Sequence, residues 1–210
     1  TTYDNVYSTI INTLTSNGAK GVVCTIPSVT AIPYFTTVPY APLSPTALGG
    51  SANISALNAQ LYGLLDGIFT AYGEADRVNL LSATSANPIL ITDVDAADRS
   101  AQMSGYLQTV LSYPAATAAA FGAVFGKARQ ATSADLVVLP ASSVIGTTNA
   151  SAPAGINING VTFPMANKWV LTANEKAKVA SATASFNASI VSIAASKNLA
   201  VADMNAVMNQ

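Results

Sequence analysis

Three aspartates lie close together in the stretch DVDAADR, at Asp93, Asp95 and Asp98. Carboxylates at alternating positions are typical of loops that bind a hard divalent cation. The stretch has neither the central glycine nor the closing glutamate of a calcium-binding EF-hand loop. Helix caps and turns explain such aspartates equally well, so the role of the cluster stays open. The sequence predicts no metal and no cofactor.

Histidine is absent from all 210 residues. A serine or cysteine nucleophile needs a neighbouring base, most often histidine, so a Ser-His-Asp or Cys-His site cannot be assembled from this chain alone. The single cysteine, Cys24, lies within an apolar run and is expected to be a buried core thiol. One cysteine without histidine also excludes a histidine-rich zinc site. The chain by itself is therefore predicted to be inactive in such chemistry.

Candidates for ligand contacts follow the first apolar run of the chain. Residues 21–26 are continuously apolar, which predicts a strand covered on both faces, and Pro27 ends it. Residues 27–50 are rich in proline, which opposes helix and central strand and favours an ordered loop or lid. Ligands collect at the carboxyl ends of strands in open α/β sheets. The predicted substrate-binding residues are accordingly Ser28, Tyr34, Phe35 and Thr36, although Tyr34 and Phe35 could equally serve only to anchor the loop.

The elements that position these residues follow from periodicity and turn signals. Apolar spacing predicts helices at about 2–16, 53–72, 102–113, 115–131 and 173–197. Gly63 and Gly67 in the second helix suggest close helix packing. Apolar runs predict a hairpin from 78–81 and 89–92, strands at 136–139 and 199–204, and a small hairpin turn at Asn159-Gly160. The order helix, strand, long excursion, helix, strand is typical of a parallel α/β layer.

Composition narrows the class of protein. Hydrophobic residues make up 50% of the chain and charged residues only 9%, so Ser, Thr and Asn must cover the surface. Such a surface suits an extracytoplasmic protein, either of the cell envelope or secreted. The net charge is −1 and no Lys/Arg cluster occurs, which makes a nucleic-acid partner improbable. The continuous apolar runs are far shorter than the roughly 20 residues that span a bilayer.

Several long stretches carry a resemblance to a known family. They are NGAKGVVCTIPSVTAIPYFTTVPY, LNAQLYGLLDGI, NPILITD, DLVVLPASSVIG and VLTANEKAKVASATASFNASIVSIAASKNLAVADMNAVMN. Together they resemble the SGNH (GDSL-type) hydrolases, in particular the long, envelope-associated members typical of Bacteroidetes. The resemblance covers nearly the whole chain, and it is a similarity of running sequence that includes no catalytic motif.

The resemblance implies a flavodoxin-like, three-layer α/β/α fold with a parallel sheet. Residues 1–210 would form a single α/β domain, with an incomplete SGNH-like core at about 1–27 and 171–210. The intervening residues, about 28–170, would be a large lid-like insertion containing hairpins and helices.

The implied function is that of a lipase or acylesterase that works by serine acyl transfer on a small acyl ester. The family's GDS, GxND and DxxH motifs are all missing, and Asp203 does not carry over as the triad aspartate because Met204-Asn205-Ala206 follows it. The chain is therefore expected to be an internal portion of a hydrolase whose catalytic residues lie outside it. An N-terminal anchor upstream of Thr1 would give association with the envelope, as in a lipoprotein.

Two other functions compete with this interpretation. The chain could be a non-catalytic extracytoplasmic binding or accessory module for a glycan or a protein partner, using its polar loops. A nucleotide-binding flavodoxin-like domain is disfavoured, because Pro27-Ser28 follow the first strand where a glycine-rich phosphate loop would be needed.

Overall fold

A computed structural model describes residues Thr2–Met208 as a mixed α/β protein with a small parallel sheet. The helices are α1 (Thr2–Leu14), α2 (Pro33–Thr36), α3 (Gly50–Leu57), α4 (Gly63–Ala71), α5 (Ser100–Thr109), α6 (Ala115–Phe125), α7 (Ala173–Ser196) and α8 (Met204–Met208). The strands are β1 (Val22–Cys24), β2 (Leu90–Thr92), β3 (Ala128–Gln130), β4 (Leu136–Val137), β5 (Val170–Leu171) and β6 (Ala200–Ala202).

The chain folds as two units, which we describe separately. The two-segment unit combines the residues up to Pro33 with those from Asn174 onward, and the central unit is Tyr34–Ala173.

The two-segment unit is built on the parallel pair of β1 and β6. Val22, Val23 and Cys24 pair in register with Ala200, Val201 and Ala202. Helices α1 and α7 contact each other through the rings of Tyr3 and Phe186, whose centroids are 4.4 Å apart, and through a hydrogen bond from Ser189 to Asp4. The buried apolar side chains of this unit are few: Ile11, Ile190 and Ala194.

The prediction that β1 is covered on both faces is wrong within the described residues. Val22 is 66% exposed and Val201 is 39% exposed, although both are apolar strand residues. Cys24 is also exposed, so the expected buried thiol is a second error. Both errors have one cause: the described residues give β1 a single neighbouring strand, and a strand is buried only when other elements cover it.

Helix α7, with 24 residues, is the longest of the helices described. It is the described helix whose length and composition would suffice to cross a membrane. Core helices of soluble proteins meet the same test. The polar side chains of Asn187 and Ser189 bond to other parts of the two-segment unit, which makes α7 one of its packing elements.

The central unit has its apolar core around α3 and α4, which form one helical run joined by a π-helical turn at Asn58–Tyr62. The turn explains Gly63, since an added Cβ there would lie 2.9 Å from the carbonyl oxygen of Asn58. Gly67 has no atom within 4 Å of that position, so the prediction of close packing is wrong for it. Tyr62 is fully buried and donates its hydroxyl to the carbonyl of Val161 at 2.7 Å.

Strand pairing in the central unit differs from the expected hairpin. Residues 78–81 form no strand in the described structure, and β2 pairs in antiparallel fashion with β3. The Gln130 side chain bonds the backbone N–H and C=O of Asn79, both at 2.9 Å, and so holds this segment in place of a strand ladder. The helix predicted over 115–131 ends at Phe125, and the chain then enters β3.

Strands β4 and β5 and the turn at Asn159-Gly160 complete the central unit. Strand β4 pairs with β5, and the strand predicted at 136–139 is thus confirmed in a shorter form. The predicted turn at Asn159-Gly160 is present, and Gly160 supplies a φ of 75° that suits glycine. It connects isolated bridges, Thr148 with Ile158 and Asn159 with Phe163, so no extended hairpin forms there.

Candidate functional site

The carboxyl ends of β1 and β6 are joined by a side-chain network. Thr25, directly after β1, donates its hydroxyl to Oδ1 of Asp203 at 2.9 Å. The same hydroxyl accepts the backbone N–H of Asn205 at 3.0 Å. Thr25 is only 6% exposed. Both the proton and an acceptor position of this hydroxyl are therefore used in structure, which leaves it poorly suited to act as a nucleophile.

Two asparagines fix the chain where β1 ends. Asn187 on α7 accepts the N–H of Ile26 at 2.7 Å and donates to the carbonyl of the same residue at 2.9 Å. Asn205 donates its side-chain amide to that carbonyl at 3.1 Å. Pro27 follows and has no N–H, so the strand cannot continue its ladder there. The asparagines satisfy backbone groups of Ile26 that would otherwise need other partners.

Asp203 is the one carboxylate of this network. Its Oδ1 accepts the backbone N–H of Ala206 at 3.1 Å, at the beginning of α8. That N–H, together with the Thr25 hydroxyl, holds the pKa of Asp203 below its ordinary value of 3.8. The group is therefore ionised at neutral pH, and it can accept hydrogen bonds but cannot act as a general acid.

A small polar cavity adjoins the network. It measures about 280 Å³ and is lined by Ser28, Thr30, Thr183, Asn187 and Asn205, among others. The hydroxyls of Ser28 and Thr30 lie 3.2 Å apart. Hydroxyl and amide groups can orient a neutral polar ligand through hydrogen bonds. No base lines this cavity, so the cavity can bind and position a ligand but offers no group that activates a nucleophile.

The four predicted substrate-binding residues lie in different units. Ser28 lines the cavity of the two-segment unit. Tyr34, Phe35 and Thr36 form most of α2 and belong to the central unit. Phe35 packs against the core of that unit, which agrees with an anchoring role, whereas Tyr34 is 42% exposed and meets the Phe35 ring edge-on at 5.0 Å. Thr36 is exposed at the end of α2.

The three aspartates of DVDAADR have structural partners. Asp93 accepts hydrogen bonds from Arg129 at 2.6 Å and from the N–H of Asp95 at 2.9 Å. Asp98 accepts the N–H and the hydroxyl of Ser100 at the start of α5, at 2.9 and 2.5 Å. Across Thr2–Met208, no three His, Cys, Asp or Glu side chains come together in a way that could hold a metal ion. Turn formation and helix capping account for Asp93 and Asp98.

Sequence reasoning missed the residues that carry the network, namely Thr25, Asn187 and Asn205. Asn187 and Ile26 are 161 positions apart, and no local pattern links them. The available signal was the amide of Asn187 within α7, a helix that also carries serine, threonine and lysine. In a chain this rich in asparagine and serine, that signal cannot be separated from an ordinary exposed residue.

Replacing Thr25 by valine should raise the pKa of Asp203, because the carboxylate loses one of its hydrogen-bond donors. The N–H of Ala206 remains, so the pKa is expected to stay below 3.8. Titration of the Asp203 carboxyl by ¹³C NMR measures this shift. Thr30→Val removes a hydroxyl from the neighbouring cavity and should leave the titration unchanged. Equal titration curves for Thr25→Val and the parent chain would contradict the described network.

The chain was compared with protein-family models, with curated proteins and with solved structures, and none of the three comparisons gives a match.

Proposed function

We propose that the chain is part of an SGNH (GDSL-type) ester hydrolase of the cell envelope or the secreted fraction, acting on a small acyl ester. The two-segment unit would be a portion of its three-layer α/β/α core, and the central unit would be its lid-like insertion. The proposal is supported by the sequence resemblance over nearly the whole chain. It agrees with the parallel pairing of β1 and β6 across a long excursion.

The observation that best supports the proposal is that the parallel pair of β1 and β6 exposes apolar side chains to solvent. Val22 and Val201 are 66% and 39% exposed, and Cys24 is exposed beside them. Parallel sheets are normally covered on both faces, and two strands alone rarely form a stable sheet. The covering elements that fit are further parallel strands and a second helix layer, which an α/β/α hydrolase core would supply.

The chemistry expected of such an enzyme is acyl transfer to a serine, with a base to remove its proton and donors to stabilise the oxyanion. The sequence has no histidine, so a histidine base, as in the family's DxxH motif, would come from polypeptide outside these residues. The ends of β1 and β6 would then contribute one wall of the active site. Ser28, with Asn187 and Asn205, would hydrogen-bond the substrate.

The 210 residues alone should hydrolyse p-nitrophenyl acetate and butyrate no faster than buffer, since they lack the GDS serine and a histidine base. The full native reading frame should encode a GDS motif upstream and a DxxH motif downstream. The full-length protein should turn over both esters, and alanine at the GDS serine should abolish this activity. Turnover by the 210 residues at a rate typical of esterases, or a reading frame without either motif, would refute the proposal.

A second candidate function is a binding module for glycans, which one cavity of the central unit favours. This cavity of about 320 Å³ is lined by Trp169, Phe163, Asn149 and Asn159, among others. Aromatic faces and amide groups are suited to the C–H surfaces and hydroxyls of a sugar. The assays above separate the two functions, because a glycan-binding module would remain inactive toward esters in the full-length protein.

A further inference from the structure

The largest cavity described in the central unit is an apolar groove, which lies between residues 37–57 and residues 139–162. Its volume is about 720 Å³, within the range of roughly 300–1,000 Å³ that small-molecule sites occupy. The proline-rich segment forms one side, and the 3₁₀ turn Leu139–Ser143 with the loop that follows forms the other. Buried side chains supply the floor: Val38, Leu43, Leu48 and Val161.

The chemistry of the groove excludes charged ligand groups. Among the described residues that line it, none is Asp, Glu, Lys or Arg. Asn53 donates its amide to the carbonyl of Leu48 at 2.6 Å, and Ser142 donates its hydroxyl to the carbonyl of Leu139 at 2.8 Å. Thr162 accepts the N–H of Ile158 at 3.0 Å. These polar side chains are engaged with the protein backbone, so a carboxylate or phosphate inside the groove would lose water without gaining an ionic partner.

The shape of the side chains favours one kind of apolar ligand. Leucine, isoleucine, valine and proline line the groove, and no aromatic residue occurs among the described lining residues. Flat aromatic ligands gain from stacking on aromatic rings, which this groove does not offer. A flexible aliphatic chain can follow a wall of branched side chains and gains affinity with every methylene it buries.

We propose that this groove binds the aliphatic chain of a small amphiphile, with the polar end of the ligand at the solvent-exposed rim near Ala47 and Leu139. Ala47 is exposed and Leu139 is 39% exposed, which places both at the opening. The site is formed by the central unit alone. It therefore stands whether or not the chain belongs to a hydrolase.

Titration with 1-hexanol and 1-octanol, monitored by methyl NMR of Leu48, Leu57 and Val161, tests the site without any catalytic step. Both alcohols should cause saturable shifts at these methyl groups. Binding should tighten about fourfold for each added methylene, or about sixteenfold between the two alcohols. Absence of saturable shifts, or equal affinity for the two alcohols, would overturn the proposal.

A blocked variant and a matched control localise the binding. Ala47→Phe fills the groove from its exposed rim and should weaken binding of 1-octanol at least tenfold. Ala52→Phe makes the same change at an exposed alanine outside the groove and should bind as the parent chain does. If Ala47→Phe misfolds, Leu139→Asp, which places a charge at the rim, should give the same loss. Unchanged binding in the folded blocked variant would overturn the proposal.

Two competing occupants give distinct results. A second copy of the chain in the groove would appear as a dimer in sedimentation at rising concentration, and 1-octanol would fail to dissociate it. Docking of the groove onto a lipid surface would appear as sedimentation with phosphatidylcholine vesicles that Ala47→Phe abolishes, in the absence of monomeric 1-octanol binding. Either result would overturn the proposal of a chain-binding site.

Discussion

Replacing Asp135 by alanine is expected to lower the free energy of unfolding of the central unit by about 3–5 kcal/mol, the range for removing one partner of a buried ion pair. The Asp135 side chain is 0% exposed, and that of Arg129 is 17% exposed. The two form a bidentate pair, with Nη1 to Oδ2 at 2.7 Å and Nη2 to Oδ1 at 2.8 Å. Without Asp135, Asp93 remains as the acidic partner of the guanidinium among the described residues.

Asp135 also organises two turns of the backbone. It accepts the N–H of Thr132 at 2.7 Å and the N–H of Ala173, the first residue of α7, at 3.0 Å. Alanine would leave these N–H groups without this partner as well. The carboxylate thus links the loop before β4 to Ala173, the last residue of the central unit, and its loss should affect the whole central unit rather than one side chain.

The stability that Asp135 contributes to the central unit should decrease as the pH falls. Burial alone would raise the pKa of Asp135, but the hydrogen bonds from Arg129, Thr132 and Ala173 outweigh it and hold the pKa below 3.8. A lowered pKa in the folded state means that the unfolded state binds the proton more readily on acidification. The stabilisation is therefore complete above about pH 4 and is lost as the pH falls through the folded-state pKa. In Asp135→Ala this acid dependence should be weaker.

Urea unfolding followed by the fluorescence of Trp169 measures the change, because this single tryptophan lies in the central unit. Asp76→Ala removes an exposed aspartate of the same unit and should change the stability by no more than about 0.5 kcal/mol. Combining Asp135→Ala with Arg129→Met should cost less than the sum of the single changes, because the unpaired charge is gone. A loss below about 1 kcal/mol for Asp135→Ala would contradict the role described for the pair.

Replacing Gly122 by alanine is expected to destabilise the packing of α5 against α6 by about 1–3 kcal/mol, the usual cost of overpacking. A Cβ at Gly122 would lie under 3.0 Å from the backbone oxygen of Ser100 and from the hydroxyl of Ser104. The Ser104 hydroxyl lies between the helices and donates to the carbonyls of Ser100 and Ala118. The two helices would have to separate, since a backbone carbonyl cannot rotate away as a flexible side chain can.

Replacing Gly105 on α5 by alanine should instead raise the free energy of unfolding. Gly105 lies on α5 with no atom within 4 Å of an added Cβ, so alanine there should stabilise the helix by roughly 0.5–1 kcal/mol through its better helix propensity. Urea unfolding of both variants and the parent chain, again followed by Trp169, makes the comparison. If Gly122→Ala were as stable as Gly105→Ala, the close approach of the helices would be refuted.

The elements that periodicity predicted well are those whose signals are local. Helix α7 was expected at about 173–197 and is found at Ala173–Ser196, and α1 was expected at about 2–16 and is found at Thr2–Leu14. Proline and glycine ended the apolar runs close to where the strands end. A helix forms its hydrogen bonds within one segment, so the segment's own residues suffice to predict it.

The candidate site could be predicted only in part. The sequence directed attention to the chain after β1, where Ser28 does line a cavity, but it did not reveal that Asn187 and Asn205 bind the backbone of Ile26. Side chains that meet across more than 150 positions leave no periodic signal. The same limit applies to the groove of the central unit, whose walls come from two segments about 100 positions apart.

By itself the sequence determined the positions of α1 and α7, the absence of a histidine base, and a surface poor in charge. Only the tertiary structure decided that β2 pairs with β3, that the chain leaves α6 at Phe125, and that Cys24 is exposed. It also decided that Asp93 and Asp98 serve turns and a helix cap. The physical reason is common to all of these: a strand's partner, a side chain's burial and a carboxylate's hydrogen bonds depend on residues distant in the chain, which local composition does not encode.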